Sequence, residues 1–455
     1  IYTLTKRDAN QVADWLTQHN FTAKAYYSGV EHKDFEDSNT YRQHLESLLL
    51  NNKIKVLVAT SALGMGYDKP DLGFVIHYQA PGSIVAYYQQ VGRAGRGISN
   101  AVGVLLSGSE DNAIHEHFRK SAFPKAQWVK SLLTALEATD GLSVSQLLER
   151  VNIRRGQIDQ ALKFLSVSSP APVIKNGSIW QRTPVFYSMD HEHINRLTQQ
   201  KAFEWDEITS YFAHSGCLMK FLAQSLDDPN PIPCGRCSNC NKENVITDSF
   251  DKEKAEYAKN FLQRSEIKLE CKKLIAKGAF KKYEFTHNIP IDLRAEVGRI
   301  LSRWRDGGWG EAVASDKNNG HFRDELIDAA LKMITQRWRP NPKPQWVTCV
   351  PSNKNPELVP NYARRLALAL DLPFIPIVEK IRENEEQKIQ QNLYHQCQNL
   401  DGVFNIKSGM PTGAVLLVDD VVDSALTLTI ISALLKKAGS GAVFPFALTT
   451  SSIGS

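Results

Sequence analysis

The chain has 455 residues, with 54 Lys and Arg against 49 Asp and Glu, a net charge of +5 and 42% hydrophobic residues. That length predicts about three domains, and the composition is that of folded protein rather than disordered or collagen-like chain. No apolar run reaches the ~20 residues of a membrane-spanning helix and no secretory leader is evident, so no membrane partner is expected.

The charge is unevenly spread. Residues 252–305 hold 14 Lys/Arg against 7 Asp/Glu, and residues 125–190 hold 8 against 5. Seven cysteines, four of them clustered, suit a metal site in a reducing cytosol better than a disulfide framework, so a cytoplasmic location is expected.

From the start, Ile1–Leu4 reads as an apolar strand and Ala9–His19 as an amphipathic helix. Ala23–Val30 is a strand ending in a tight turn at Ser28-Gly29, and a helix follows near Arg42–Leu50. Val56–Ala59 is a buried strand running into a glycine-punctuated loop. Phe74–Pro81 is another strand and Ser83–Val91 another helix. Short apolar strands alternating with helices predict a parallel sheet with flanking helices, whose function gathers at the strand C-termini.

The strings YYSGV, VATSALGMGYDKP and YYQQVGRAGR follow in that order over residues 1–122. Together they resemble the second RecA-like lobe of a RecQ-type superfamily 2 DNA helicase. The resemblance implies DNA contacts by Ser28, Gly29, Thr60 and Ser61, the last two at a strand end where a plain strand cap is the other reading of Thr60. It implies ATP contacts by Gly66 and Asp68, with Gly64 and Gly66 allowing close backbone approach. It places Gln89 and Arg93 toward the phosphates and makes Arg96 the arginine finger that stabilises charge on the transferred phosphoryl group. Where the family has Glu and Thr, this chain has Gln90 and Val91. No G-x-x-x-x-G-K-S/T loop occurs in the chain. The chain therefore reads as the C-terminal part of a longer motor, its partner being an N-terminal RecA-like lobe that supplies the ATP and Mg²⁺ grip.

Residues 123–190 predict three helices, Trp128–Ala138, Val144–Val151 capped by Ser143, and Arg154–Leu165, followed by a hairpin around Asn176-Gly177. That is a winged helix. Arg154 and Arg155 at the start of its third helix are candidate DNA contacts, protein contact being the other use of such a fold. Residues 191–245 carry Cys217, Cys234, Cys237 and Cys240. Thiolates at this spacing converge on one tetrahedral ion, and four of them predict a closed structural Zn²⁺ site. The pattern resembles the RecQ zinc module. In the family that module precedes the winged helix, whereas here it is expected to follow, and the family's C-terminal HRDC domain is not expected in these 455 residues.

Residues 246–285 read as a basic helical linker, with Lys268, Lys272, Lys273, Lys277, Lys281 and Lys282 recurring about every four residues. Such a face serves either DNA contact or solvation. In 286–455, VLLVDDVVDSALTL runs from a four-residue apolar strand into Asp419-Asp420, then a loop Asp423–Thr427, then a helix Leu428–Lys437. This resembles the phosphoribosyl pyrophosphate (PRPP) motif of ComF-like type I phosphoribosyltransferases, with VPSNK at 350–354 similar to the pyrophosphate loop. The resemblance implies that Asp419 and Asp420 hold ribose hydroxyls with Mg²⁺ nearby. It also implies that Asp423, Ser424, Ala425, Leu426 and Thr427 cradle a 5′-phosphate at a helix N-terminus. Ala425 stands where the family has Gly.

The expected fold is multidomain α/β: a RecA-like parallel sheet lobe, a winged helix, a four-cysteine zinc module and a doubly wound type I phosphoribosyltransferase-like domain. The expected function is the C-terminal portion of a 3′–5′ ATP-dependent DNA helicase acting on single-stranded and duplex DNA in repair or recombination. The alternative is a phosphoribosyltransferase, or a PRPP or 5′-phosphate sensor, carried on a DNA-binding chassis.

Overall fold

The computed structural model describes residues 1–63, 67–108, 110–241, 249–264 and 266–451. They cluster into two units, Ile1–Pro124 with Tyr187–Phe250, and Lys125–Phe186 with Asp251–Ser455.

The first stretch alternates helices and strands: α1 (Lys6–Gln18), β1 (Ala23–Tyr26), α2 (Ser38–Leu50), β2 (Val56–Ala59), β3 (Phe74–His77), α3 (Ile84–Val91), β4 (Val102–Leu105) and α4 (Asp111–Ser121). β1 pairs with β2 and β3 with β4, all parallel. Tyr2 joins the two pairs, bridging to Ala59 and to His77. The strand expected at Ile1–Leu4 is thus reduced to one bridging residue, and the one expected to reach Pro81 stops at His77. All four residues of β2 are buried, as a strand covered on both faces requires.

Residues 125–186 form α5 (Ala126–Glu137), β5 (Leu142–Ser143), α6 (Val144–Arg150), α7 (Arg155–Ser166), β6 (Val173–Asn176) and β7 (Ile179–Arg182). The strands make an antiparallel sheet in the order β5-β7-β6. Ser143 closes a capping box with Gln146 at the start of α6. Gly177 turns the hairpin at φ +59°. Leu132, Leu136, Leu147, Ile158 and Leu162 are fully buried at the helical spacing that the sequence shows.

The chain then returns to the first unit as α8 (His191–Phe212) and α9 (Leu218–Ser225). Trp205, Ile208 and Tyr211 of α8 and Leu222 of α9 pack with Ile84 and Tyr87 of α3.

Residues 251–451 hold α10 (Lys252–Arg264), β8 (Ile267–Leu269), β9 (Gly298–Arg303), α11 (Gly310–Asn319), α12 (Asp324–Lys332), β10 (Trp346–Cys349), α13 (Leu358–Ala369), β11 (Val378–Lys380), α14 (Leu393–Leu400), β12 (Phe404–Ile406), β13 (Val415–Val422), α15 (Leu426–Lys437) and β14 (Val443–Thr450). The main sheet runs β10-β13-β14-β9-β8, parallel except for β8. Every residue of central β14 is buried, including Pro445. A Cβ on the facing Gly298 would lie 2.0 Å from the Pro445 carbonyl oxygen, so this crossing requires glycine.

The basic helical linker expected over 246–285 is corrected here. Among the described residues of that stretch, only Lys252–Arg264 is helical; Lys268 lies on β8, and the other five lysines lie in loops. Ile267-Lys268-Leu269 alternates with period two and pairs antiparallel to β9, which overrides the four-residue lysine rhythm. Leu269, Ile275, Phe280 and Phe285 then enter the core of the C-terminal sheet. Asp401 fastens that segment by accepting backbone N–H bonds from Lys281, Lys282 and Tyr283.

Candidate active site and its supports

In a parallel sheet the backbone groups beyond adjacent strand C-termini come side by side. Here β1 ends at Tyr26, short of the Val30 expected and two residues before Ser28-Gly29, and its neighbour β2 ends at Ala59, directly before Thr60-Ser61. Thr60 N–H donates to the Tyr26 carbonyl at 3.1 Å, and Gly29 N–H donates to Ser38 Oγ at 3.0 Å. Gly29 has φ +83°. Ser28, Gly29 and Ser61 are exposed and Thr60 half-buried. The sequence reading missed a cation here: Lys6 Nζ lies 5.6 Å from the Tyr27 ring centre and close to Gly29.

The glycine-bounded loop after α3 is pinned by main-chain bonds. Gly95 N–H donates to Leu72 O at 3.0 Å and Gly97 N–H to Pro70 O at 2.7 Å. Their acceptor segment is anchored in turn by buried Lys69, which donates to Asp71 at 2.6 Å and Asn52 at 2.8 Å. The Lys69 ammonium, with help from Asn52, pulls the Asp71 carboxyl down to about 2. Lys69 carried no motif signal beyond lying in YDKPD.

Arg93 and Arg96 part company on this loop. Arg93 is only 9% exposed, and its Nη1 donates to the Tyr67 carbonyl at 2.9 Å. In this conformation Arg93, expected to face the phosphates, props the Tyr67–Asp68 segment from inside the lobe. Arg96 is exposed and pairs with Asp68, Nη1 to Oδ1 at 3.0 Å. An exposed pair is worth about 0–1 kcal/mol, so an incoming anion competes for that guanidinium easily. Gln89 is exposed on the last turn of α3. Gly64 and Gly66 lie outside the described residues.

Gln90 has a specific partner. Its Oε1 lies 2.8 Å from Nε2 of fully buried His77. Burial pushes the imidazole down to about 4, so His77 is neutral at physiological pH and a neutral amide matches it. A Glu at this position would add a buried charge.

The four clustered thiols come together. The Sγ atoms of Cys217, Cys234, Cys237 and Cys240 lie within 4.8 Å of one another. Backbone N–H groups point at three of them: Cys234 and Lys220 at Cys217, Arg236 and Cys237 at Cys234, and Leu218 at Cys237, all at 3.2–3.4 Å. Such donors stabilise thiolates, and four converging sulfurs fit a tetrahedral ion. Asn239 Nδ2 braces the loop on the carbonyls of His214 and Gly216. Arg154 is the N-cap of α7 and Arg155 its first residue, and both are exposed.

In the C-terminal domain, Asp419 and Asp420 lie within β13, which extends to Val422 rather than stopping before them. Asp419 Oδ1 accepts from the Asp420 N–H at 2.9 Å. Burial, then the neighbouring Asp420 charge, raises the Asp419 carboxyl to about 8. Asp420 is held by Lys317 of α11 at 2.6 Å, a partner about a hundred residues away that the sequence reading missed. The loop is shorter than expected. Leu426 opens α15 and is buried in the core, so its side chain is removed from any cradle. Thr427 lies in the first turn. Ala425 holds φ +56°, the left-handed conformation that suits the family's glycine. Asp423 is exposed and accepts from Ser451 Oγ at 3.4 Å; Ser424 is half-buried.

Residues 1–97 match the family of the helicase conserved C-terminal domain. An ATP-dependent DNA helicase RecQ of Synechocystis is 28% identical over 254 residues, covering 53% of this chain and 48% of that protein. RecQ of Bacillus subtilis is 35% identical over 111 residues, covering 24% and 18%. The probable helicase RecS of the same organism is 24% identical over 246 residues, covering 53% and 45%. The chain thus spans about half or less of the length of these relatives. The match to the helicase conserved C-terminal domain covers the parallel strands β1 to β3 and the glycine-bounded loop after α3. Among the relatives, the RecQ helicases of Synechocystis and Bacillus subtilis are those to which this chain is similar.

Proposed function

We propose that this chain is the C-terminal portion of an ATP-dependent DNA helicase of RecQ type, coupling ATP hydrolysis to 3′–5′ movement on single-stranded DNA. One observation carries the reading: Arg96 stands exposed on a glycine-bounded loop pinned to its own lobe, within a segment that matches the helicase C-terminal family. In the proposed reaction the Arg96 guanidinium leaves Asp68 for the oxygens of the transferred phosphoryl group, where charge spreads in the transition state. Arg93 positions the Tyr67–Asp68 segment. Gln89 and a nucleotide-gripping wall complete the cleft, the wall coming from an N-terminal RecA-like lobe with its Mg²⁺. Ser28, Thr60 and Ser61 offer hydroxyl groups to phosphates of one strand, with Gly29 allowing close backbone approach and Lys6 supplying charge. The test is hydrolysis by the full-length protein. Single-stranded DNA should stimulate it, and duplexes with a 3′ tail should be unwound; absence of both activities overturns the reading.

Residues 125–186 serve in this reading as a winged helix that meets duplex through Arg154, Arg155 and the hairpin. The four cysteines hold a structural Zn²⁺, which ties α9 to the α8 platform under α3. The carboxylates of β13 and the left-handed entry to α15 support a phosphoribosyltransferase-like fold for the C-terminal domain, with PRPP or a 5′-phosphate as its ligand class. The Lys317–Asp420 pair and the buried Leu426 favour binding over transfer. Isothermal titration with PRPP and Mg²⁺, compared with Asp419→Asn, tests this part alone.

A further inference from the structure

Residues 125–186 are joined at both ends to segments of the first unit, yet they cluster with the C-terminal domain. The contact is made by two asparagines. Asn392, 5% exposed, points its Nδ2 at three carbonyls of the turn between α6 and α7: Leu148 at 3.1 Å, Val151 at 2.8 Å and Ile153 at 3.1 Å. Leu148 belongs to the last turn of α6, whose carbonyls lack helical partners, while Val151 and Ile153 follow the helix and the Val151 carbonyl also accepts the Ile153 N–H at 3.0 Å. Asn152, on the same turn, answers in the other direction. Its Nδ2 lies 3.1 Å from Gln390 Oε1 and 3.3 Å from the Ile389 carbonyl, and its Oδ1 accepts the Gln391 N–H at 2.7 Å. The partners are separated by 237–244 residues in sequence. A buried amide that meets several backbone groups is specific in orientation, because any shift leaves polar groups unpaired.

The next residue after Ile153 is Arg154, the N-cap of α7, followed by exposed Arg155. We propose that Gln390–Asn392 is a docking clamp: it fixes the turn leading into α7 and so sets the direction in which Arg154 and Arg155 are presented to duplex DNA. The C-terminal domain is then a working part of the duplex-handling apparatus, not a passenger. The DNA half of this inference rests on the winged-helix reading above; the clamp itself does not.

Asparagine-to-aspartate changes test it with little change in shape. Asn392→Asp keeps the oxygen that caps α14 through the His395 N–H, but turns an acceptor toward three carbonyls. Asn152→Asp keeps the acceptor for Gln391 and loses the donor. In the 455-residue chain, amide exchange at residues 148–155 should quicken by ~10-fold or more in both variants, while β13 and β14 keep their protection. Affinity for a forked duplex should fall by roughly 3- to 10-fold with single-strand affinity unchanged. Unchanged exchange in both variants overturns the clamp. Faster exchange with unchanged duplex affinity overturns its role in presentation. The double change Arg154→Ala, Arg155→Ala serves as a control for the DNA reading: if it leaves duplex affinity intact, that reading fails, and exchange still judges the clamp.

Discussion

Arg96 and Asp68 meet at 3.0 Å, with 47% and 63% of their side chains exposed, while Arg93, three residues earlier, is buried against the Tyr67 carbonyl. Two arginines that look equivalent in GRAGR therefore do different physical work. One holds up the loop from below. The other is held only weakly and is readily recruited by a stronger anion.

That division predicts unequal effects on stability. Arg93→Ala removes a charged donor to the part-buried Tyr67 carbonyl and should destabilise the first lobe of this chain by about 1.5–3 kcal/mol. Arg96→Ala should stay within about 0.5 kcal/mol of the parent, as expected for an exposed site. Urea unfolding followed by tryptophan fluorescence checks both. Equal losses would mean that the two side chains share one role.

His77 gives the first lobe an acid sensitivity. Burial lowers its pKa from 6.5 to about 4, so the unfolded chain binds the proton more readily. The stabilisation is complete above about 6.5 and is lost as pH falls toward 4, with a ceiling of roughly 3 kcal/mol. Gln90→Glu supplies an anion to the imidazolium and should flatten the slope between about pH 7 and 5. Denaturation at the two pH values reads it; a parent slope equal to that of Gln90→Glu would contradict the assignment.

The cysteine cluster should carry about one zinc per chain by elemental analysis. Cys237→Ser should cut that content sharply and lower the melting temperature, since Cys237 Sγ also receives the Leu218 N–H at the start of α9. Full zinc content in Cys237→Ser would show that the metal sits elsewhere.

In the C-terminal domain the sign is reversed. The folded pKa of Asp419 is raised from 3.8 to about 8, so the folded state keeps its proton longer. Its contribution is fully present below about 4 and is lost as pH rises through 8. Asp419→Asn should remove that loss, and Lys317→Met should enlarge it by leaving Asp420 without its cation. Unfolding curves between about pH 5 and 9 make the comparison.

Much of this was legible locally. Val56–Ala59, the helix expected at Ser83–Val91, the Ser143 cap and the Asn176-Gly177 hairpin lie where the sequence puts them, to within a residue, because caps, turns and apolar periodicity act over a few residues. The four cysteines converge as their spacing implies. What local signals do not carry is long-range. Nothing local distinguishes the buried Arg93 from the exposed Arg96; that depends on where residues 67–72 fold back. Lys317 reaches Asp420 only after the sheet closes, and the lysine rhythm after Arg264 concealed a strand whose partner begins at Gly298.

The central claim is that Arg96 acts on the phosphoryl group undergoing transfer. Its most direct test is DNA-stimulated ATP hydrolysis by the full-length protein carrying Arg96→Ala. The account predicts a fall of ~10³-fold or more, with nucleotide and single-strand affinities within a few-fold of the parent. Hydrolysis within a few-fold of the parent would contradict it.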